Sequence, residues 1–232
     1  MYQTDLRLQT ATRPGHVINL GVVEYDEALQ LQVALRDKRI AEAVPDTLVL
    51  LEHPPLITIG RSGNRENILV STRRLTEQGI QLFFTNRGGD VTYHGPGQIV
   101  GYTIVDLRPY GLDLRAHLRR LEEVIIEALK AFGVRGGRKP QYTGVWVGDE
   151  KIASIGLHVR RWVTMHGFAL NLQADLGHFS LIYPCGIRDR AMTSVARVLG
   201  HPVEPSQVRK ELAEAFGRVM GLSMAEKTPP RM

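Results

Sequence analysis

Apolar residues along the chain fall into short runs separated by longer stretches with helical spacing. The short runs predict strands at 16–23, 46–52, 57–59, 81–85, 98–105, 143–147, 151–160 and 162–172. Helical spacing predicts helices at 24–43, 72–78, 112–132, 193–199 and 205–221. The clearest is 112–132, where one face carries Leu118, Leu121, Ile125, Ala128 and Leu129. This mixture of strands and helices predicts an α/β domain.

The chain has 232 residues, which suits one large domain. We expect a single domain over 1–232 with an ordered core at about 16–221. A boundary near 175–190 would leave about 45 residues, too few to fold alone. The last stretch, 223–232, contains Pro229 and Pro230 and is predicted to be a frayed tail.

Composition narrows the class of protein. A single cysteine cannot form an internal disulfide, so a reducing compartment is expected. The first fifteen residues contain no apolar core of signal-peptide length, and no run approaches the roughly 20 apolar residues of a membrane span. The sequence therefore predicts a soluble cytoplasmic protein without a membrane partner. The net charge of +5 is dispersed, which favours an acidic partner over nucleic acid.

Residues 87–98 read Arg-Gly-Gly-Asp-Val-Thr-Tyr-His-Gly-Pro-Gly-Gln and form the most informative segment. Glycine lets another group approach the main chain closely, so a ligand can lie against N–H groups here. No Gly-Lys-Ser or Gly-Lys-Thr follows, which excludes a P-loop, and the glycine spacing excludes a dinucleotide fingerprint. A plain inter-strand loop would not require Arg87, Tyr93 and His94.

Cys185 and Lys151 are the candidate reactive side chains. Pro184 and Gly186 flank Cys185 and indicate a loop, although a lone cysteine is often a small core residue. A thiol is a nucleophile only as the thiolate, so it needs a neighbouring cation or base. The candidates for that base are Lys151, His94, His158, His166 and His178. Lys151 lies at a strand start, and its spacing alone favours a solvated charge after the turn at 148–150 over a reactive amine.

Other chemistries lack a pattern in the sequence. Ser154 stands outside a Gly-x-Ser-x-Gly elbow, so a hydroxyl that bonds the backbone is more typical there than a nucleophile. The eight histidines form no His-Glu-x-x-His, and one cysteine cannot build a structural zinc site. We expect no metal and no cofactor.

Five separated motifs occur together in order, and with them the chain resembles the lipoyl(octanoyl) transferases of lipoate biosynthesis. The motifs are the segment 87–98, Lys-Ile-Ala-Ser-Ile-Gly at 151–156, Gly-Phe-Ala-Leu-Asn at 167–171, Pro-Cys-Gly-Ile at 184–187, and Thr193 with Ser194. The resemblance extends over roughly 17–221.

The resemblance implies the fold of the biotin and lipoate protein ligase catalytic domain, a mixed sheet flanked by helices. It implies transfer of an octanoyl group from octanoyl-acyl carrier protein to a lysine of lipoyl domains, the first step of endogenous protein lipoylation. The acceptors would include the glycine cleavage H protein and the E2 subunits of 2-oxoacid dehydrogenases. Cys185 would carry the acyl thioester and Lys151 would tune the thiol. The substrate pocket would consist of Arg87, Gly88, Gly89, Asp90, Val91, Thr92, Tyr93, His94, Ser154, Ile155, Gly156, Gly167, Phe168 and Ala169.

The chemistry of the residues agrees with these roles. A covalent cysteine divides transfer from thioester to amide into two easier steps, and no ATP is needed. The acceptor amine must lose a proton, which Lys151 is expected to receive. Main-chain N–H groups of the glycine-rich segment or of Ile155 and Gly156 are candidates to stabilise the oxyanion. A pocket for the apolar octanoyl chain would measure its length.

Two other functions stay open at this point. An ATP-dependent lipoate or biotin protein ligase shares the fold but needs no nucleophilic cysteine. A non-catalytic module that binds an acyl carrier or a lipoyl domain would not depend on Cys185.

Overall fold

A computed structural model describes residues 12–184 and 191–228, and within these ranges the protein has eleven strands and five α-helices. The strands are β1 Arg13–Val22, β2 Asp46–Glu52, β3 Leu56–Ile59, β4 Gln81–Phe84, β5 Val91–His94, β6 Gln98–Ile104, β7 Gly137–Lys139, β8 Tyr142–Val147, β9 Glu150–Arg160, β10 Val163–Asn171 and β11 Leu222–Glu226. The helices are α1 Tyr25–Ile40, α2 Thr72–Glu77, α3 Leu114–Lys130, α4 Val195–Leu199 and α5 Pro205–Met220.

A large mixed sheet forms the centre of the molecule. Its eight strands run in the order β11-β1-β2-β6-β10-β9-β8-β7. β1 pairs in parallel with β2 and β11, and the remaining pairs are antiparallel. A smaller sheet has the order β4-β3-β5, with β3 parallel to β4 and antiparallel to β5. The predicted α/β class and the mixed sheet flanked by helices are confirmed.

Helices cover both faces of the large sheet. α1 packs against β6 and β10 and buries Ala28, Leu31 and Leu35 in one cluster. On the opposite face α3 and α5 pack against each other and bury a second cluster that includes Leu121 and Phe216. A third cluster lies beneath the small sheet. None of the helices in the described ranges has the length and apolar character needed to span a bilayer.

Most of the helix and strand boundaries predicted from the sequence agree with those in the structure. α3 begins two residues after its predicted start. The Asp113 carboxylate caps this end of the helix, because it accepts hydrogen bonds from the N–H groups of Arg115 and Ala116. Between β10 and α4, where no element is predicted, the chain forms a short 3₁₀ helix, Leu176–Leu181.

The predicted frayed tail is wrong for residues 223–226. These residues belong to β11, which pairs in parallel with β1 from Leu222 opposite Arg13 to Glu226 opposite Val17. The pairing provides hydrogen-bond partners for the backbone N–H and C=O groups along the outer side of β1. Leu222 is buried in the cluster beneath α5. Residues 229–232 of the predicted tail lie outside the described ranges.

Candidate active site

The glycine-rich segment enters the site as a short loop followed by a strand. Val91–His94 forms β5, which pairs antiparallel with β3, so the second part of the predicted loop is a strand. Side chains alternate across it. Val91 and Tyr93 are buried in the cluster beneath the small sheet, where the Tyr93 ring stacks on His178. Thr92 and His94 point to the other side, toward a cavity.

Arg87 fixes the loop before β5. Its guanidinium donates to the Thr58 hydroxyl and carbonyl, both at 2.8 Å from Nη2, and to the Asp90 carbonyl at 2.6 Å. The Gly88 N–H donates to the Leu157 carbonyl at 2.8 Å, which joins the loop to β9. That bond removes the Gly88 N–H from the candidates for the oxyanion site.

A narrow cavity of about 50 Å³, here called the histidine cavity, lies between the loop, β9 and β10. Eleven of the fourteen predicted substrate-binding residues line it: Arg87, Gly88, Gly89, Thr92, His94, Ser154, Ile155, Gly156, Gly167, Phe168 and Ala169. Five further residues complete the wall: Tyr25, Thr58, Val100, Tyr102 and His166. Their binding role stays a prediction.

Three predicted pocket residues lie elsewhere. Val91 and Tyr93 face the core beneath the small sheet because of strand alternation. Asp90 faces a second cavity, where its carboxylate accepts hydrogen bonds from the Asn64 N–H at 2.9 Å and the Asn67 amide at 2.5 Å. Its side chain therefore holds two segments together.

The second cavity, here called the lysine cavity, has a volume of about 440 Å³. It shares Gly88, Gly89, Ile155 and Gly156 with the histidine cavity, so the two are neighbours across one wall. Its other lining residues are Ser62, Asp90, Leu114, Leu118, Gln141, Tyr142, Thr143, Lys151 and Leu157. The leucines from α3 make one side apolar.

Lys151 is buried, with 3% of its surface exposed, so the alternative of a solvated charge is wrong. Its amine lies 5.7 Å from the centre of the Trp146 ring, within the range of a cation–π contact. Gly144 on β8 provides room for it: a Cβ at this position would lie 2.6 Å from Lys151 Cε and 3.3 Å from Nζ. Gly144 also has φ +127°, and its N–H donates to the buried Glu122 carboxylate at 3.0 Å.

Cys185 lies outside the described ranges, as does the predicted contact between its sulfur and the Lys151 amine. The described residues that follow this segment contact the Lys151 main chain. The Lys151 N–H donates to the Ala191 carbonyl, and the Thr193 N–H donates to the Lys151 carbonyl, both at 2.9 Å. Pro184 and Ala191 line one common cavity.

Buried histidines surround the histidine cavity. Burial is the largest cause that lowers the pKa of both His94 and His166 to about 3. The nearby Arg87 charge acts in the same direction. His53 donates from Nδ1 to the Val23 carbonyl and accepts at Nε2 from Tyr102, each at 2.6 Å. These rings are therefore neutral in the folded protein near neutral pH.

The Ser154 hydroxyl differs from the sequence expectation. It is buried, and in the described part of the structure it has no hydrogen-bond partner, so it does not satisfy the backbone. Across residues 12–184 and 191–228, no group of three His, Cys, Asp or Glu side chains is arranged to hold a metal.

Sequence reasoning missed several wall residues. Tyr25 begins α1, Thr58 lies in β3 and Tyr102 lies in β6, all outside the recognised motifs. These residues could have been found as polar or aromatic side chains within strands or helices whose pattern otherwise predicts apolar core.

Comparison with known proteins places this architecture in a family. Residues 24–217 match the family model described as the lipoyl protein ligase A/B catalytic domain. The chain belongs to this family.

Relatives and solved structures agree with that membership. The chain is 52% identical to the octanoyltransferase of Caldicellulosiruptor saccharolyticus, over 89% of this chain and 88% of the relative. It is 48% identical to the octanoyltransferase of Desulforamulus reducens, over 88% and 90% respectively. A structure of lipoate-protein ligase A bound with ATP superposes with a TM-score of 0.74, at 17% identity over 93% of this chain and 89% of that one. A biotin protein ligase from Aquifex aeolicus with bound biotin gives 0.52, at 14% identity over 88% and 70%.

Proposed function

We propose that this enzyme transfers an octanoyl group from octanoyl-acyl carrier protein to a lysine of a lipoyl domain, through a thioester on Cys185. Octanoyl transfer is supported by the relatives, which are named octanoyltransferases and align over most of the chain. The structural observation that carries the mechanism is the buried Lys151 amine. It borders the lysine cavity, on a strand bonded to the segment that follows Cys185.

The first half-reaction loads the enzyme. The Cys185 thiolate attacks the carbonyl carbon of the incoming thioester, a new C–S bond forms, the C–S bond to the carrier breaks, and the leaving carrier thiolate takes a proton from the Lys151 ammonium, which becomes neutral. The Lys151 ammonium stabilises the thiolate before this attack. Pro184 and Ala191, the described residues on the two sides of the segment that contains Cys185, line one cavity, and the Ala191 carbonyl accepts a hydrogen bond from the Lys151 N–H, which supports reaction near Lys151.

The second half-reaction transfers the acyl group. The neutral amine of the acceptor lysine attacks the Cys185 thioester, a C–N bond forms, and the C–S bond breaks. The proton of the amine passes to Lys151 in its neutral form. The acyl chain enters the histidine cavity, where Val100, Phe168 and Ala169 provide apolar wall, and the lysine cavity admits the reacting arms of the two partner proteins.

The partners follow from this chemistry. The donor is an acidic carrier protein, for which the net charge of +5 is favourable. The acceptors are lipoyl-domain proteins such as the glycine cleavage H protein and the E2 subunits of 2-oxoacid dehydrogenases. An archaeal lipoate protein ligase of the same fold, from Thermoplasma acidophilum, was solved as part of a system with its E2 lipoyl domain.

The deciding experiment is mass spectrometry of the enzyme after mixing with octanoyl-acyl carrier protein in nucleotide-free buffer. We expect one octanoyl adduct on Cys185, discharge of that adduct by an added lipoyl domain, and neither event in Cys185→Ser. Near-normal transfer by Cys185→Ser would overturn the covalent mechanism. An absolute requirement for ATP would move the enzyme to the ligases.

A further inference from the structure

A buried chain of hydrogen bonds leads from the histidine cavity to the strand that carries Lys151. His94 Nδ1 lies 2.7 Å from Gln98 Oε1, and Gln98 Nε2 donates to Asn171 Oδ1 at 2.8 Å. Asn171 Nδ2 donates to the Thr193 carbonyl at 3.0 Å, and the Thr193 N–H donates to the Lys151 carbonyl at 2.9 Å. All five residues are buried.

Main-chain carbonyls fix the direction of every bond in this chain. The Thr193 carbonyl only accepts, so the NH₂ group of Asn171 must face it and the Asn171 oxygen must face Gln98. The Tyr93 carbonyl also only accepts, and it lies 3.2 Å from the Gln98 NH₂ group. Both constraints turn the Gln98 oxygen toward His94.

His94 is therefore held in one tautomer. Its Nδ1 must carry the proton, because the atom opposite is an oxygen that accepts. In a neutral ring Nε2 then has no proton and can only accept a hydrogen bond. The ring lines the histidine cavity and is kept neutral by burial and by the neighbouring His53, Arg87 and His166, which lower its pKa to about 3.

We propose that Gln98 and Asn171 are positioning residues that hold His94 with an unprotonated Nε2 available to the histidine cavity. His94 then accepts a hydrogen bond from an N–H or S–H group that enters the site, and it cannot donate from Nε2 to a developing oxyanion. The statement about the tautomer stands on the hydrogen bonds alone; the statement about reacting groups rests on the proposed octanoyl transfer.

The test is long-range ¹H–¹⁵N correlation NMR of the substrate-free enzyme labelled with ¹⁵N-histidine at pH 7, with His94→Gln to assign the signals. We expect the wild-type His94 to show the Nδ1–H pattern with no detectable Nε2–H form. An Nε2–H ring or an imidazolium in the wild type would overturn the proposal, whether or not octanoyl transfer is later demonstrated.

Two variants then test the positioning role. Gln98→Met removes the oxygen opposite Nδ1, so we expect the exclusive Nδ1–H pattern to be lost. Gln32→Met is the matched control: this buried glutamine accepts from the His166 N–H at 2.8 Å and leaves the Gln98–Asn171 chain intact, so the His94 pattern should persist. An unchanged His94 pattern in Gln98→Met would refute the positioning role. If Gln98→Met does not fold, Asn171→Leu, which removes the next link, replaces it, and the wild-type pattern decides the tautomer by itself.

Discussion

The histidine cavity and the lysine cavity share a wall but differ in volume and in the polar side chains that line them. In the histidine cavity, His94 and Arg87 are fixed by hydrogen bonds to neighbouring side chains and main-chain carbonyls. The lysine cavity is much larger, 440 Å³ against 50 Å³, and Lys151 lies among Trp146, Gly144 and the leucines of α3. The difference fits the two tasks that we propose: the histidine cavity would hold the acyl chain, and the lysine cavity would accommodate two different partners around a proton-transferring amine.

Substitutions of Lys151 are expected to have the largest effect, and they therefore test the proposed difference between the two cavities most strongly. Lys151→Arg keeps a cation but cannot accept a proton in a protein. We expect the pH dependence of Cys185 alkylation to stay near that of the wild type, while octanoyl transfer to the lipoyl domain falls by roughly 10²–10⁴-fold, the usual contribution of a general base. Rates of alkylation and transfer are measured on the same preparation.

Lys151→Ala is the second variant in this experiment. It removes the cation as well, so the alkylation profile should shift to higher pH. If the profile does not move, a histidine activates the thiol and the assignment of Lys151 is wrong. Near-normal transfer by Lys151→Arg would equally contradict its role as base.

A smaller effect is expected from Gly144→Ala, which changes the position of the amine without removing it. The new methyl group would lie 2.5 Å from the Ala153 carbonyl oxygen and 2.6 Å from Lys151 Cε, so both the β9 backbone and the lysine side chain must shift. A displacement of about 1 Å in a reacting group can lower the rate roughly 100-fold, and we expect a loss of transfer of that order. Transfer kinetics and thermal unfolding are measured together.

Gly148→Ala is the matched control in the same hairpin. Gly148 also has a positive φ, +57°, but a Cβ there would meet nothing within 4 Å. It places an alanine at a positive φ in the same hairpin without a contact to Lys151, so transfer should be nearly unchanged. Equal losses in both variants would show that strain, and not the position of the amine, limits the rate.

Much of the architecture could be predicted from the sequence, because α3, β9 and β10 carry strong local periodicity. β11 could not be predicted, because its only sheet partner is β1 at the opposite end of the chain, and five residues carry no local signal for such a pairing. β5 was hidden because glycines flank it on both sides and conceal a four-residue strand.

The candidate active site was likewise predictable from the sequence only in part. The motif residues predicted most of the histidine cavity, since consecutive residues on β9 and β10 lie together by strand pairing. The Gln98–Asn171 bond could not be predicted, because it depends on the register between β6 and β10. The register places Asn171 opposite Gln98, and this pairing orients His94.

The weakest effect, and the most informative about the histidine cavity, is expected at Ala169. This buried residue faces the cavity from β10, opposite Val100 on β6. Ala169→Leu fills part of the space, so the preferred acyl chain should become shorter, whereas Ala169→Gly should favour a longer one. Each buried methylene contributes about 0.8 kcal/mol, so specificity should change by roughly fourfold per carbon.

Competition between butanoyl, hexanoyl, octanoyl and decanoyl carrier proteins, read as adducts by mass spectrometry, measures the shift. Since the two substitutions change volume in opposite directions, a general loss of stability cannot reproduce opposite shifts. Identical chain-length profiles in both variants would place the acyl chain outside the histidine cavity.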